Sequence, residues 1–303
     1  MTGAEAGFLL LTPHLGNPER RVLTTSQLRV LSGRVRNVEK AAEDRDLAEQ
    51  DLVALGYGRE MATQILRLLD EEQLLHYYLH KGEKCLCYPL TRLTEGYPRR
   101  LRQKLGEETP GCLWYKGDIS LLSQPKVALV GSRELLDRNR KFAREVGRQA
   151  ARQGYVLVSG NARGADQAAQ NACLQAGGKV ICVIADSLDG KMVKENLLYL
   201  SEDGFDCPFS AQRAISRNRV IHTLADRTFV AQSALETGGT WDGTVKNLRR
   251  GWSRVFCFDD GSPAMCRLQQ MGAETITEKE LEDFEALSWE TAGFLEELWE
   301  GQP

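Results

Sequence analysis

The sequence predicts an α/β protein in which a parallel sheet, covered by helices on both faces, follows a small helical domain. Two patterns lead to this. From residue 126 onward, short unbroken apolar runs alternate with helical stretches. Such runs are the mark of parallel strands buried on both faces. Before residue 89, apolar residues recur at intervals of three and four, as in Leu52, Leu55, Ile65 and Leu69, which is the period of an amphipathic helix. A chain of 303 residues suits one large domain and a smaller one.

Residues 1–88 form the expected helical N-terminal domain. Within it, Leu55-Gly56-Tyr57-Gly58, followed by a helix with Ala62 and Ile65 inward, fits a helix-hairpin-helix or SAM-like unit. Its glycines either let backbone N–H groups approach a phosphate or serve a plain packing hairpin. Residues 89–125 read as a connecting segment, because Tyr97-Pro98 and Thr109-Pro110 favour extended chain. The sheet domain is expected over 126–277, with strands at 127–130, 155–159, 180–185, 228–231, 255–258 and 275–276. Helices are expected at 137–152, 165–176, 194–200, 214–224, 243–250 and 264–271. Residues 278–303 are expected to be an acidic, amphipathic helical tail.

The net charge of −3 is uneven: residues 274–303 carry ten acids and one base, which leaves +6 on the remainder. A mildly basic body is compatible with a polyanionic partner. The apolar runs are far shorter than a membrane span, and no basic stretch precedes the apolar residues of the N-terminus, so a cytoplasmic protein is expected. The eight cysteines have no CxxC spacing and read as reduced, small apolar residues. No HExxH, GxSxG, GxGxxG or P-loop pattern is present, so no metal, no cofactor and no catalytic residue is expected. His222 falls on a helix and reads as structural.

The chemistry is expected in strand-to-helix loops, which gather at one sheet edge. The first is Gly131-Ser132-Arg133. A glycine turn feeding a helix N-terminus favours a phosphate, and arginine adds a bidentate charge. The second is Ser159-Gly160-Asn161-Ala162-Arg163-Gly164, followed by Asp166, which either caps the next helix or binds a ribose or base. The third is Arg217-Asn218-Arg219. Arginines two apart leave a helix on different sides, so one can face the loop edge while the other pairs with an acid. A late loop, Thr237-Gly238-Gly239-Thr240-Trp241, again precedes a helix. Trp114, Tyr115 and Trp241 are candidates for stacking on bases, with core packing as the other reading for Trp114. Lys141, Arg144, Arg148 and Arg152 share one helix face, read as a solvated surface.

These loops, in this order, resemble the DprA/Smf family of DNA-processing proteins. Tyr97-Pro98 with Leu101, then Pro110, Leu113, Trp114, Tyr115 and Gly117, match the family's entry motifs. Val130-Gly131-Ser132-Arg133 matches its VGSR, Ser159 to Asp166 its SGxAxGxD, and residues 217–221 its RNR motif. The resemblance implies a Rossmann-like sheet, homodimerisation, single-stranded DNA as ligand, and a RecA-type recombinase as partner in natural transformation. By the same resemblance Gly131, Ser132, Arg133, Ser159, Gly160, Gly164, Arg217 and Arg219 form a phosphate-binding pocket, and Asn218 holds its loop. The chain departs from the family at Gln170, where histidine is usual, at Asp259-Asp260-Gly261, and in the 238–244 loop; an acidic segment stands in place of a winged helix. An alternative is a nucleotide-sensing pocket. The 237–244 loop is similar to that of the lonely-guy phosphoribohydrolases, with Asn247 at the position of their catalytic glutamate.

Overall fold

The computed structural model describes residues 1–35 and 47–287. Its N-terminal helices are α1 (Gly3–Leu11), α2 (Thr25–Val35), α3 (Glu49–Ala54), α4 (Arg59–Leu69) and α5 (Glu72–Lys84). Thr2 and Glu5 close a capping box on α1, satisfying N–H groups that the helix leaves free. α3 and α4 form the expected hairpin. Gly56 turns it at φ +85°, and the Arg34 guanidinium lies over the Tyr57 ring. Leu52, Ala62, Ile65 and Leu68 make its small core.

The sheet has nine strands among the described residues, in the order β1-β2-β6-β5-β4-β3-β7-β8-β9. They are β1 (Tyr88–Thr91), β2 (Cys112–Gly117), β3 (Lys126–Val130), β4 (Val156–Ser159), β5 (Lys179–Val183), β6 (Leu197–Ser201), β7 (Arg227–Val230), β8 (Arg254–Phe258) and β9 (Glu274–Ile276). β3 to β9 run parallel, while β1 and β2 are antiparallel at one margin. The helices between them are α6 (Arg99–Leu105), α7 (Asp137–Arg152), α8 (Ala165–Gln175), α9 (Ala211–Ser216), α10 (Asn218–Leu224), α11 (Gly238–Arg250) and α12 (Pro263–Gln270). One sheet face packs on α7 and α8, and the other on α10, α11 and α12. This is the Rossmann-like α/β fold, with helices on both faces.

Three segments differ from expectation. Residues 194–200 were expected as helix, but Leu197–Ser201 is a strand with four of its five residues buried. An unbroken apolar run fits a buried helix and a buried strand equally, so its period cannot distinguish them. The 89–125 segment, expected to be a connector, supplies α6 and most of β1 and β2. Pro89 is tolerated because β1 is an edge strand. Of the expected tail helix, residues 279–282 form a 3-10 turn instead, and Leu281 and Phe284 are fully buried against the α7 face. The rest of the tail, from residue 288, lies outside the described residues.

The helical domain and the sheet share a core. Tyr78 of α5 packs edge-on to Trp114 of β2, and both touch Phe205. Each such side chain, fully buried, contributes roughly 1.5–3 kcal/mol. The Tyr78 hydroxyl also donates to Asp206 Oδ1 at 2.6 Å, and Lys81 Nζ reaches Oδ2 at 2.7 Å. The helical domain thereby fixes the loop between β6 and α9.

Candidate functional site

From β3 the chain builds outward through β4 and β5 to β6, then returns to place β7 on the other side of β3. At such a switch point the loops diverge and leave a crevice beyond the strand C-termini. A cavity of about 350 Å³ lies there. Gly131, Ser132, Arg133, Ala162 and Asp166 line one side, and Arg217, Asn218, Thr237, Gly238, Gly239 and Thr240 another.

The two glycine loops are locked together. A Cβ at Gly164, whose φ is +87°, would lie 2.3 Å from the Arg133 carbonyl oxygen, and one at Gly131 would lie 2.5 Å from the Ala165 Cβ. The Ala165 N–H donates to the Ser132 carbonyl at 3.2 Å. Only glycine permits that approach. Ser132 itself is held by Gln232, whose carbonyl accepts from the Ser132 N–H at 2.9 Å.

Arg217 sits between α9 and α10, 8 % exposed. A Cβ on Gly160 would fall 1.7 Å from its Nη1, so the glycine backbone is the bed of the guanidinium. The Arg217 guanidinium makes no hydrogen bond among the described residues, and its buried Nε is without an acceptor. Burial pulls its pKa down, while the Asp166 carboxylate opposes that shift. Asp166 accepts from the N–H groups of Gly160 and Ala162, both at 3.1 Å. Burial pushes its carboxyl up, and Arg217 and those two N–H groups draw it back. Its contacts clamp the preceding loop and do not make the expected helix cap, because the N-cap position of α8 is Gly164, which has no side-chain cap.

Arg219 points the other way. It forms a two-pronged pair with Glu202, at 2.6 and 3.3 Å, and donates to the Glu108 carbonyl. It lies outside the cavity. Asn218 donates to the Gly239 carbonyl at 2.9 Å, tying α10 to the start of α11. Thr237, the N-cap of α11, offers no side-chain cap. The first N–H groups of α11 thus have no acceptor within the helix, and they open on the cavity beside Gly238 and Gly239.

Ser159 lies beneath the site, fully buried, with its hydroxyl taken by Gln170. Asn161 (φ +57°) and Arg163 shape the loop rim and do not line the cavity. Trp114 is 0 % and Trp241 8 % exposed, so both pack in the core. Tyr115 packs on Tyr88. The aromatic residue that does line the cavity is Phe209, 57 % exposed, with Ile215, 49 % exposed, beside it. Both escaped the sequence reading. With residues 194–200 taken as helix, the loop before α9 had no strand to mark it as part of the site edge.

His222 lies at the cavity floor with its ring buried. Burial and the nearby Arg217 push its pKa down to about 3, so the ring is neutral. Its Nδ1 accepts from Asn247 Nδ2 at 3.1 Å. Asn247 also donates to Ser253 Oγ and accepts from the Ser253 N–H, both at 2.9 Å. Asn247 is therefore a buried amide that ties α11 to the start of β8.

The sequence model of the DNA recombination-mediator protein A family matches residues 89–247. The DNA processing protein DprA of Streptococcus pneumoniae is 34% identical over 183 residues, 56% of this chain and 64% of that protein. Its Bacillus subtilis counterpart is 29% identical over 185 residues, covering 56% and 62%. The matched region thus spans less than two thirds of these relatives. Among solved structures, DprA from S. pneumoniae aligns with a TM-score of 0.66 at 29% identity, over 86% of this chain and 92% of that one. A Helicobacter pylori DNA processing protein A, described with a single-stranded DNA binding mode, has the same fold: TM-score 0.55 at 23% identity, over 65% and 94%.

Proposed function

The chain belongs to the DNA recombination-mediator protein A family, and from that premise we propose that it binds single-stranded DNA by seating a backbone phosphate on Arg217. The observation that carries this is a guanidinium more than nine-tenths buried, without a hydrogen bond, on the wall of an open cavity. Leaving a buried cation without hydrogen-bond acceptors costs several kcal/mol, and a phosphate oxygen offsets that cost. The N-terminus of α11 faces the same space, with its dipole favouring an anion. Arg133 stands exposed at the rim. Phe209 and Ile215 give the opposite wall an apolar surface on which a base can lie.

The site binds without turnover in this reading. His222 is neutral and held by Asn247, and Asn247 carries no carboxylate to stabilise a sugar cation. Homodimerisation and hand-over of the strand to a RecA-type recombinase during transformation extend the proposal by family resemblance. Because the cavity is near the size of one nucleotide unit, a free nucleotide is the competing ligand.

Fluorescence anisotropy of a labelled single-stranded oligonucleotide at two salt concentrations tests the proposal. Binding should fall steeply with salt. Arg217→Ala should weaken it by at least tenfold and Arg133→Ala by less, because the exposed Arg133 is already solvated. No binding at low salt, with a mononucleotide bound instead, would replace DNA with a small nucleotide as the ligand.

A further inference from the structure

Helix α7 leaves the first glycine loop at the cavity rim and carries two kinds of cation. In its second half Arg148 pairs with Glu145 at 2.7 Å, and Arg152 lies 4.0 Å from the same carboxylate. In its first half Arg138, Arg140, Lys141 and Arg144 are all exposed, and their side chains make no ion pair or hydrogen bond. The one acid of the first turn, Asp137, pairs with none of them. Positive charge near a helix N-terminus opposes the macrodipole, and like charges in adjacent turns repel. The arrangement is thus mildly unfavourable to the isolated fold, and the neutralising glutamate is supplied only farther along.

Placement gives these charges a use. At about 100° per residue, Arg140, Lys141 and Arg144 fall within roughly one 100° sector. They span about 6 Å along the axis. Arg133, in the cavity wall, lies five residues ahead of Arg138 on the same continuous segment. The other end of α7 meets acidic chain: the turn at residues 279–282 packs there, and Gln153 binds the Leu281 carbonyl and the Phe284 N–H. An anionic strand on this helix is therefore favoured at the half nearest the cavity and repelled from the other.

We infer that the outer face of the first two turns of α7 is a second nucleic-acid contact, a phosphate track for the nucleotides next to the one held at Arg217. The inference rests on the single-strand reading of the cavity. It makes affinity depend on strand length. A dinucleotide is confined to the cavity, whereas a strand of about thirty nucleotides also reaches α7.

The experiment compares these two lengths of oligothymidine by anisotropy across a salt series, on the full chain. The variants are the triple substitution Arg140→Ala, Lys141→Ala, Arg144→Ala; the paired-cation control Arg148→Ala, Arg152→Ala; and Arg217→Ala. The triple variant should leave the short strand within about twofold. It should weaken the long strand by at least tenfold and lower its salt slope by about 2, as loss of three phosphate contacts on a single strand requires. The control should change neither length by more than about twofold. A triple variant that binds the long strand like wild type, or loses both lengths equally, overturns the track. If Arg217→Ala leaves both lengths bound while the triple variant weakens the long one, the cavity reading fails and the α7 contact stands. Circular dichroism of each variant separates lost contact from lost fold.

Discussion

At the N-terminal edge of the sheet Arg100 faces Asp226 at 2.7 Å, Arg254 faces Glu274, and Arg227 lies 3.9 Å from Glu285. At the C-terminal edge Arg217 and Arg133 face no carboxylate within ion-pair distance among the described residues. The same residue type thus has two environments a few turns apart. Paired arginines close loops and strand ends, and their charge is already answered. The unpaired ones keep their electrostatic energy available to a ligand. The Arg217–Arg219 pair shows the contrast at the shortest range, with one facing the cavity and the other locked to Glu202.

If the contrast holds, substitutions at the two ends should move different observables. The largest effect is expected on stability alone. Phe284 is fully buried beside Tyr155 and Phe229. Phe284→Ala should cost about 3–5 kcal/mol in chemical denaturation, with DNA affinity of the folded fraction unchanged. The same burial decides which truncation of the acidic tail the fold tolerates. Deletion from residue 278 would remove Leu281 and Phe284 and unfold the chain, whereas deletion after Leu287 spares them. Next in size is Gly160→Ala. The added methyl occupies the Arg217 guanidinium position, so affinity should fall about a hundredfold, near 2.7 kcal/mol, with a smaller loss of stability. Affinity equal to wild type would show that Arg217 can leave its bed at no cost to binding, and the edge contrast would lose its centre.

A third test uses pH. The folded His222 pKa, about 3 against 6.5 in an unperturbed chain, is depressed. Its contribution to stability is therefore complete above pH 6.5 and is lost as pH falls toward 3. Between pH 7 and pH 5 wild type should lose about 2 kcal/mol more stability than His222→Asn, whose Oδ1 can accept from Asn247 in place of the ring nitrogen. Parallel pH profiles would mean that the ring protonates in the folded state. DNA affinity above pH 6.5 should be insensitive to the substitution, because the neutral ring offers the phosphate no charge.

How far the sequence discloses these edges depends on the signal each residue leaves. β3, β4, β5, β7 and β8 were legible because each is an apolar run closed by glycine, polar residues or a helix start. β6 has the same run but follows Lys194-Glu195-Asn196, which reads as a helix opening; the turn is made by Asn196 at φ +61°. β1 pairs with β2, and β2 with a strand more than eighty residues onward, a contact that no local pattern encodes. The opposite directions of Arg217 and Arg219 followed from their two-residue spacing. Phe209 was not legible, since an exposed apolar residue in a loop leaves no periodic trace. Trp241 misled for a related reason, and Trp114 took the core-packing one of its two readings: sequence gives a ring's position along the chain but not the partners that cover it.

The smallest effect is the cleanest converse. Arg100 pairs with Asp226, donates to the Thr223 and Trp252 carbonyls, and is half-buried. It is an arginine as rich in contacts as Arg217 is poor. Arg100→Ala removes one partly screened ion pair and two carbonyl hydrogen bonds, so about 1 kcal/mol of stability should be lost. Single-strand affinity and its salt slope should not change, because a charge already matched by a carboxylate and two carbonyls releases no counterions when DNA binds. A shallower salt slope in this variant would mean that the strand reaches the N-terminal edge. The division between structural and ligand-binding arginines would then have to be drawn by path length along the surface, and no longer by pairing.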